Sequence, residues 1–517
     1  MATEIKTPTP SEVRGMAEPV TEKSLKGTGI KKKAKTGGQT DSEKASPKAK
    51  QLLDLCAGFE LFHSPDGSCY ASFKRDKFIE TVRLESRNFE LLLLKLYRDA
   101  YNDMLSEQQL KPVIRTLQAE ALISGEEKEI HLRTARDVDD VIIDLGTSDW
   151  QQVRVTKKGW QLERSGNQKF WRPSNQRPLA IPIPGTGNLE MLRTLLNVDD
   201  QQWILLRAFL VQCLLPSGEY PILVAQGGEG TAKSTLCKVL KVLLDNHSPP
   251  LRRLPTSPRD LAVFAKNAHV LAFDNLSGIT AAMSDELCSI ATGGGFGAKQ
   301  NYTDADDHAY EFARPVIING IDDLAKRQDF LSRSVILRLE KIADDKRIRK
   351  SVFWESFEES ASAILSGLLD LLSLALGELD SVYLAEAPRM ADFAHLGVAI
   401  EKGLKEQAGS FMHAYKGAQE AVILDNLQYD PFAVAVVELM DELARGEGSE
   451  LEKSPSNLHG LIEGKISDRY CMPKQNKLGE RLERINTALN LVGIRFLRPT
   501  RGSTRLLKLQ RFKKLTP

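Results

Sequence analysis

The chain has 517 residues, enough for three or four domains, and its 42% hydrophobic and 27% charged residues are typical of a soluble globular protein. No apolar run reaches about 18 residues, so we expect no membrane span. The first residues lack the basic start and apolar core of a secretory signal. Six cysteines without a CxxC pair argue against a zinc site or a disulfide framework, so we expect a cytoplasmic protein.

The charge is unevenly distributed, although the net charge is only +1. Residues 1–50 carry 11 Lys and Arg against 6 Asp and Glu, and residues 474–517 carry 12 against 2. Such asymmetry indicates that the two ends, rather than the centre, meet a polyanion, although a solvated tail at each end is the plain alternative. Residues 1–50 are also rich in Lys, Gly, Ser and Pro with almost no aromatic residues, which predicts a disordered basic arm.

Residues 51–189 read as an α+β accessory domain. A helix is predicted over 89–105, and apolar alternation predicts antiparallel strands over 138–146 and 151–162. A strand-like run at 169–173 precedes a Pro-rich exit linker at 178–188. No chemical constellation stands out, so we expect a docking or accessory module.

From 190 to 345 the pattern changes to helices alternating with short apolar strands. The strands are predicted at 221–226, 269–275, 314–320 and 334–339. This alternation is typical of an α/β domain with a parallel sheet covered by helices. Residues 346–428 read as helical throughout.

A glycine-rich loop between the first of these strands and a helix predicts an ATP site. Lys233 is expected to reach the β- and γ-phosphates, and the Ser234 hydroxyl to bind Mg²⁺. Ala232 stands where such loops usually have their last glycine, and it keeps a small side chain there. The predicted nucleotide-binding residues are Gly227, Gly228, Glu229, Gly230, Thr231, Ala232, Lys233, Ser234 and Thr235.

Three further residues follow strand ends in the order that a triphosphate site needs. Asp274 is the predicted second Mg²⁺ ligand, and Asn319 is expected to orient the attacking water, although Asn-Gly is also a good turn pair. Arg333 precedes the last strand, where it is expected to act as an arginine finger in the next subunit's site. Arg327 and Arg338 are other candidates for that role. The alternative is that Arg333 is an ordinary surface arginine.

These elements, in this order and spacing, resemble the superfamily 3 helicases of viruses, satellite phages and plasmids, which are AAA+ class motors. The stretches GEGTAKSTL, LAFDNLSG, ATGGGF and RPVIINGI resemble, more narrowly, bacterial ATP-binding proteins of integrated mobile elements, prophages and satellites. The resemblance implies a hexameric ring, with Lys299 and Tyr302 on a pore hairpin that grips single-stranded DNA. Many AAA+ motors have a second acid after the first, where this chain has Asn275. Either Asp274 both binds the metal ion and activates the attacking water, or another carboxylate, Asp304 or Glu286, helps, or hydrolysis is slow.

Residues 429–517 predict a basic winged-helix domain that binds duplex DNA. Three helices, at about 429–443, 454–466 and 478–493, precede a terminal hairpin. Winged helices also mediate protein contacts, but the basic charge favours nucleic acid. The predicted phosphate contacts are Arg495, Arg498, Arg501 and Arg505.

Together these features predict an ATP-dependent DNA helicase or translocase that replicates a mobile genetic element. No primase or nickase motif is apparent, so a primase or initiator is expected to act in trans. The main alternative is a non-translocating AAA+ ATPase switch that assembles on DNA, as an assembly factor or a defence sensor. A structural DNA-binding protein with a dead site is a third possibility.

Overall fold

The computed structural model describes residues 47–164, 166–294, 296–297, 309–310, 313–320, 324, 327–446, 448–466, 469–498 and 506–512. Most of the predicted basic arm lies outside these residues. Its last part, 47–50, was expected to be disordered but begins helix α1, because Ala49 and Leu52 bury their side chains in the first hydrophobic cluster. The described chain has a mixed α/β fold.

The N-terminal unit is a four-stranded sheet covered by three helices. Its strand order is β3-β2-β1-β4, and β1 pairs antiparallel with β2 but parallel with β4. Helix α2 begins at the N-cap Ser86, whose side chain accepts a hydrogen bond from the Phe89 amide. The elements are α1 Pro47–Leu55, β1 Glu60–His63, β2 Cys69–Arg75, β3 Phe78–Arg83, α2 Arg87–Tyr101, α3 Glu107–Ile123 and β4 Glu126–Glu127.

A second, antiparallel sheet follows in the order β5-β6-β7-β8. Its strands are β5 Thr134–Asp137, β6 Asp140–Asp144, β7 Gln151–Thr156 and β8 Gly159–Arg164. Val141 and Val153 on its inner face belong to the same hydrophobic cluster as the central helices, so this sheet shares its core with the next part of the chain. The strand-like run at 169–173 forms only an isolated bridge between His131 and Phe170.

The central sheet is parallel, with the order β10-β13-β9-β14. Strands β9 and β13 are buried throughout, as expected for nearly uninterrupted apolar strands between two helical layers. The elements are α4 Glu190–Leu195, α5 Asp200–Leu214, β9 Ile222–Gln226, α6 Lys233–Asp245, α7 Pro258–Lys266, β10 Leu271–Leu276, α8 Ala281–Thr292, β11 Phe296–Gly297, β12 Ala309–Tyr310, β13 Val316–Gly320, α9 Gln328–Ser332 and β14 Ser334–Arg338.

Three helices follow: α10 Lys350–Glu378, α11 Ala391–Gly403 and α12 Ser410–Gln428. Within the described part of the chain, α10 and the turn after it, Lys350–Ser381, are long and apolar enough to cross a membrane. However, 56% of the most apolar window is buried inside the protein. Ile364 and Leu368 lie in the central cluster, and Asp370 accepts a hydrogen bond from the Trp160 indole. This packing is that of a core helix.

The C-terminal unit has a separate hydrophobic cluster built from three helices and a three-stranded antiparallel sheet of order β15-β17-β16. Strand β15 was not predicted, because its sequence, ELEK, has little apolar character and pairs only through β17. The elements are α13 Pro431–Arg445, β15 Glu450–Lys453, α14 Pro455–Glu463, α15 Leu478–Leu491, β16 Ile494–Leu497 and β17 Leu507–Arg511.

Candidate active site

The glycine-rich loop, Gly227–Ala232, joins β9 to α6 at the carboxyl edge of the parallel sheet. Two glycines are required by the backbone. Gly227 has φ of 151°, and a Cβ there would lie 2.6 Å from the Leu339 carbonyl oxygen; Gly230 has φ of 77°. Ala232 also lies in the left-handed region, with φ of 62° and ψ of 26°. The loop can therefore turn sharply into the helix and point its N–H groups at one place.

The Lys233 side chain folds back onto the loop and contacts its backbone. Its Nζ donates hydrogen bonds to the carbonyl oxygens of Gly227 and Gly228, both at 2.6 Å. Thr231 is buried, and its hydroxyl donates to the Gly228 carbonyl at 3.1 Å. Partial burial lowers the pKa of Lys233. The ammonium group thus lies inside the loop, where a bound phosphate can replace the carbonyl oxygens.

Ser234 and Asp274 are in direct contact. The Ser234 hydroxyl donates to Asp274 Oδ1 at 2.7 Å, across 40 residues of sequence. Asp274 lies near the end of β10, two strands away from β9 in the sheet, and both side chains lie at the same edge. A hydroxyl and a carboxylate oxygen so close to a glycine-rich loop are suitable ligands for Mg²⁺.

Asn319 lies between these two strands, near the end of β13, and is 1% exposed. Its Oδ1 accepts a hydrogen bond from the Asn275 backbone N–H at 3.1 Å. Burial raises the pKa of the nearby Cys237 thiol to about 12, and the Asn319 amide offsets part of this effect. Nevertheless Nδ2 makes no hydrogen bond of normal geometry within the described residues. The amide thus lies between the Cys237 thiol and the backbone of Asn275, the residue that follows Asp274.

The three candidate arginines lie in different places. Arg333 precedes β14 at the amino edge of the sheet, because Ser334 pairs with Ile222 at the start of β9. It cannot reach the loop of its own subunit, which follows the other end of β9. Arg338 lies at the loop edge and forms an ion pair with Asp425, whereas Arg327 pairs with Asp285 at 2.6 Å.

Arg333 is held within its own chain. Its guanidinium pairs with the Asp329 carboxylate and donates to the Asp329 carbonyl oxygen at 3.2 Å. The hydrogen bond from Arg333 lowers the pKa of the Asp329 carboxyl. Arg389 pairs with the same carboxylate at 3.3 Å. Only 16% of the Arg333 side chain is exposed, so the guanidinium is engaged within its own chain.

Sequence reasoning missed two residues that contact the loop. The Asn197 amide donates to the carbonyl oxygens of Thr231 and Glu340, at 3.2 and 2.7 Å. Arg347 lies over Gly230, since a Cβ on that glycine would be 2.8 Å from a guanidinium nitrogen. The Ile342 N–H donates to the Gly230 carbonyl at 3.2 Å and so ties the segment after β14 to the loop. No sequence signal marks these residues, because they approach the loop only through tertiary packing.

Of the remaining predicted residues, three lie outside the described part of the chain and two lie within it. Lys299, Tyr302 and Asp304 lie outside the described residues. Glu286 is on α8, where burial and the neighbouring Asp285 raise the pKa of its carboxyl, and no hydrogen bond joins it to Asp274 in the described part of the chain. Asn275 has φ of 58° and an exposed side chain.

Two of the four arginines that were predicted to contact phosphates lie in the part of the chain that the structure describes. Arg495 and Arg498 are exposed on and after β16. The Arg495 guanidinium lies 5.1 Å from the Phe512 ring centroid, and Arg498 pairs with Glu483 at 3.5 Å. Arg501 and Arg505 fall outside the part of the chain that the structure describes.

The central part of the chain is similar to one protein family. Residues 189–425 match the family model described as actinomycete integrative conjugative element replication protein. This match spans the glycine-rich loop, Asp274, Asn319 and the helices that follow, but less than half of the 517 residues. No curated protein matches the chain.

Two solved structures show a weaker likeness. One is described as "SCCmec type IV Cch - active helicase": it is 13% identical with a TM-score of 0.44, over 88% of this chain and 93% of that one. The other is the apo NrS-1 C-terminal region, 11% identical with a TM-score of 0.43, over 90% of this chain and 99% of that one. At TM-scores below 0.5, neither likeness decides the fold or the function.

Proposed function

We propose that this protein is an ATP-dependent DNA helicase or translocase that acts in the replication of a mobile genetic element. The observation that carries the proposal is the meeting of Lys233, Ser234, Asp274 and Asn319 at one edge of a parallel sheet. The similarity of residues 189–425 to replication proteins of integrative conjugative elements supports the biological setting.

In this proposal ATP binds with its phosphates in the loop, and Lys233 exchanges its carbonyl partners for phosphate oxygens. Ser234 and Asp274 would hold Mg²⁺, which would supply neutralisation of the phosphate charge. Among the described residues no group of three or more His, Cys, Asp or Glu is placed to bind a metal ion. Asn319 Nδ2 orients the attacking water, and Arg347 adds positive charge from the same subunit.

The proposed assembly is a homohexameric ring of superfamily 3, AAA+ type subunits, with Arg333 of one subunit completing the site of the next. Lys299 and Tyr302 would grip single-stranded DNA in the pore. The C-terminal unit would act as a winged helix on duplex DNA, because its three helices and three-stranded sheet are accompanied by the exposed Arg495 and Arg498. A primase or initiator would act in trans, in the cytoplasm.

The deciding experiment is unwinding of forked duplexes with 3′, 5′ and both single-stranded tails. We expect ATP-dependent strand separation by the wild-type chain and none by Lys233→Ala, which loses the phosphate contact. Labelled-ATP binding that survives Lys233→Ala would instead support a dead site.

A non-translocating ATPase switch is the second candidate. It is favoured by Asn275, which stands where many motors have a second acid and which uses its backbone N–H, rather than its exposed side chain, to contact Asn319. Robust ATP hydrolysis without strand separation on any fork, at several salt concentrations, would favour the switch over the helicase.

A further inference from the structure

An open cavity of about 570 Å³ lies outside the candidate active site, where the N-terminal sheet, the second sheet and the end of α7 meet. Its walls come from the β2–β3 hairpin, the start of α2, the loop after β6, residues 171–178 and Asn267. This volume is in the range of small-ligand sites, which is about 300–1,000 Å³.

Two tryptophans form rigid aromatic walls of the cavity. Trp150 is 7% exposed, and the Arg172 guanidinium lies 3.7 Å from its ring centroid. Arg172 is itself fixed by Asp144, at 2.9 Å, and by the Thr147 carbonyl oxygen, at 2.6 Å. Trp171 is only half-buried, and its backbone N–H donates to the His131 carbonyl at 2.8 Å. The Arg83 guanidinium lies 5.7 Å from the centroid of this ring, so a base can stack only on the part of the ring that Arg83 leaves open to the cavity.

The charge of the lining is positive. Arg75, Arg87 and Arg172 line the cavity with a single acid, Glu80, which pairs with Arg75 at 3.1 Å. Arg87 is exposed and makes no ion pair or side-chain hydrogen bond within the described residues. It stands in the first turn of α2, where unpaired N–H groups and the helix dipole also favour an anion.

The remaining lining is polar and uncharged, and it includes the amides of Asn88 and Asn175 and the hydroxyl of Ser148. Stacking rings, a cation without an acidic partner and amides that can both donate and accept are the groups that bind the base and phosphate of a nucleotide. A base can stack on Trp171 only if it is not stacked in a duplex. We infer that this cavity, which we call the Trp171 cavity, binds an unstacked nucleotide of a single strand, with its phosphate at Arg87.

The Trp171 cavity is also connected to the central domain. The Arg177 N–H donates to the Asn246 carbonyl at 2.9 Å, and the Ser248 N–H donates to the Asn175 carbonyl at 2.9 Å. These bonds join one cavity wall to the end of α6, the helix that begins at Lys233. The inference deepens the proposed function, on which the choice of a nucleic-acid strand rests: it gives the strand a contact outside the ring pore and the C-terminal unit.

The test is photo-crosslinking of the full-length chain to a twelve-residue oligothymidylate that carries one 5-iododeoxyuridine, without ATP. We expect a crosslink within residues 146–178. Trp171→Leu should lower the affinity for the oligonucleotide about fivefold or more, whereas Trp171→Phe should keep it within about twofold, because a phenyl ring still stacks. Arg87→Gln should make binding less dependent on salt, while Arg115→Gln, an exposed arginine on α3, should not.

Three outcomes would overturn the inference: no crosslink within 146–178 in the wild-type chain, unchanged affinity in Trp171→Leu, or crosslinking there by 5-iododeoxyuridine monophosphate but not by the oligonucleotide. Crosslinking of the wild-type chain does not depend on whether a variant folds. A crosslink in a chain without ATP turnover or unwinding would refute the helicase and leave this site standing. Unwinding without the crosslink would refute this site and leave the helicase proposal standing.

Discussion

Ala232 occupies a backbone conformation that glycine adopts without cost. A side chain in the left-handed region costs roughly 1–2 kcal/mol, because Cβ crowds the backbone. The surroundings hold the residue there: its carbonyl accepts the Leu236 N–H at 2.9 Å, and Asn197 holds the preceding carbonyl. The loop therefore reaches its shape through tertiary contacts as well as through glycine.

Ala232→Gly should increase the free energy of unfolding by up to about 1 kcal/mol, because relief of the left-handed strain exceeds the entropy that glycine adds to the unfolded chain. Equilibrium denaturation measures this change, and ATP affinity should stay the same. Ala119→Gly, at an exposed position inside α3, is the matched control and should lower stability by about 1 kcal/mol. The same sign for both variants would show that Ala232 is not strained.

Arg333→Ala should reduce ATP hydrolysis by about 10³-fold or more and leave ATP binding intact, because Arg333 lies at the edge of the sheet opposite its own loop. Turnover and nucleotide binding are measured separately. Mixing Arg333→Ala with Lys233→Ala should restore part of the activity, since each variant supplies what the other lacks at a shared interface. Retained turnover in Arg333→Ala alone would exclude it as the finger.

At the scale of elements, α6 carries the candidate site residues Lys233 and Ser234 at its start and a buried ionic cluster at its end. Asp245 accepts hydrogen bonds from Arg133 Nε at 3.1 Å, Lys241 Nζ at 2.8 Å and the backbone N–H groups of His269 and Val270. Since Arg133 immediately precedes β5, this cluster fixes the second sheet to the helix that begins at Lys233. These cations lower the pKa of Asp245 despite its complete burial.

Asp245→Asn should destabilise the protein by about 3–5 kcal/mol, because it leaves buried Arg133 and Lys241 without a carboxylate. Equilibrium or thermal denaturation measures the loss. Asp380→Asn removes an exposed partner of Lys157 and should leave the midpoint almost unchanged. A similar, small effect of both substitutions would mean that the cluster contributes specificity rather than stability.

The sequence predicted individual helices, strands and loops better than it predicted which of them contact one another. The strand, loop and helix around Lys233 follow from adjacent residues, and apolar strands that end at Asp274 and Asn319 follow from the same pattern. By contrast, the positions of Arg347 over Gly230 and of Asn197 beside Thr231 depend on contacts more than 30 residues away in sequence. The second sheet was expected in an accessory domain, but hydrophobic alternation cannot show which core receives Val141 and Val153.

At the scale of the whole molecule, His247 and His269 are buried and His131 is partly buried. Burial lowers the pKa of His269 to about 4, and lowers that of His131 and His247 as well. A carbonyl oxygen, that of Cys213, lies 2.6 Å from His269 Nε2, so this nitrogen carries the proton in the neutral ring. Protonation in the folded state would place a buried cation near Arg314 and Arg133, and the nearby Asp245 carboxylate offsets only part of this cost.

Stability should therefore fall as the pH decreases from about 6.5 to about 4. In this window the unfolded chain binds a proton at His269 that the folded chain does not, and the contribution, about 3 kcal/mol for this residue, is complete only above its ordinary pKa. Denaturation midpoints at pH 7, 6, 5 and 4.5 measure the slope. His269→Gln should flatten it, whereas the exposed His413→Gln should not. An identical slope in His269→Gln would exclude this residue as the cause.

The contact between Arg347 and Gly230 has a mechanical consequence. Helix α10 begins three residues after Arg347, and its 29 residues form a rod about 44 Å long. Beyond its far end Asp380 pairs with Lys157 in the turn before β8. If this rod tilted by about 5° about its Arg347 end, its far end would move by about 4 Å, because the displacement is the helix length multiplied by the sine of the tilt. Such a tilt would change the position of the second sheet relative to the segment that holds Arg347.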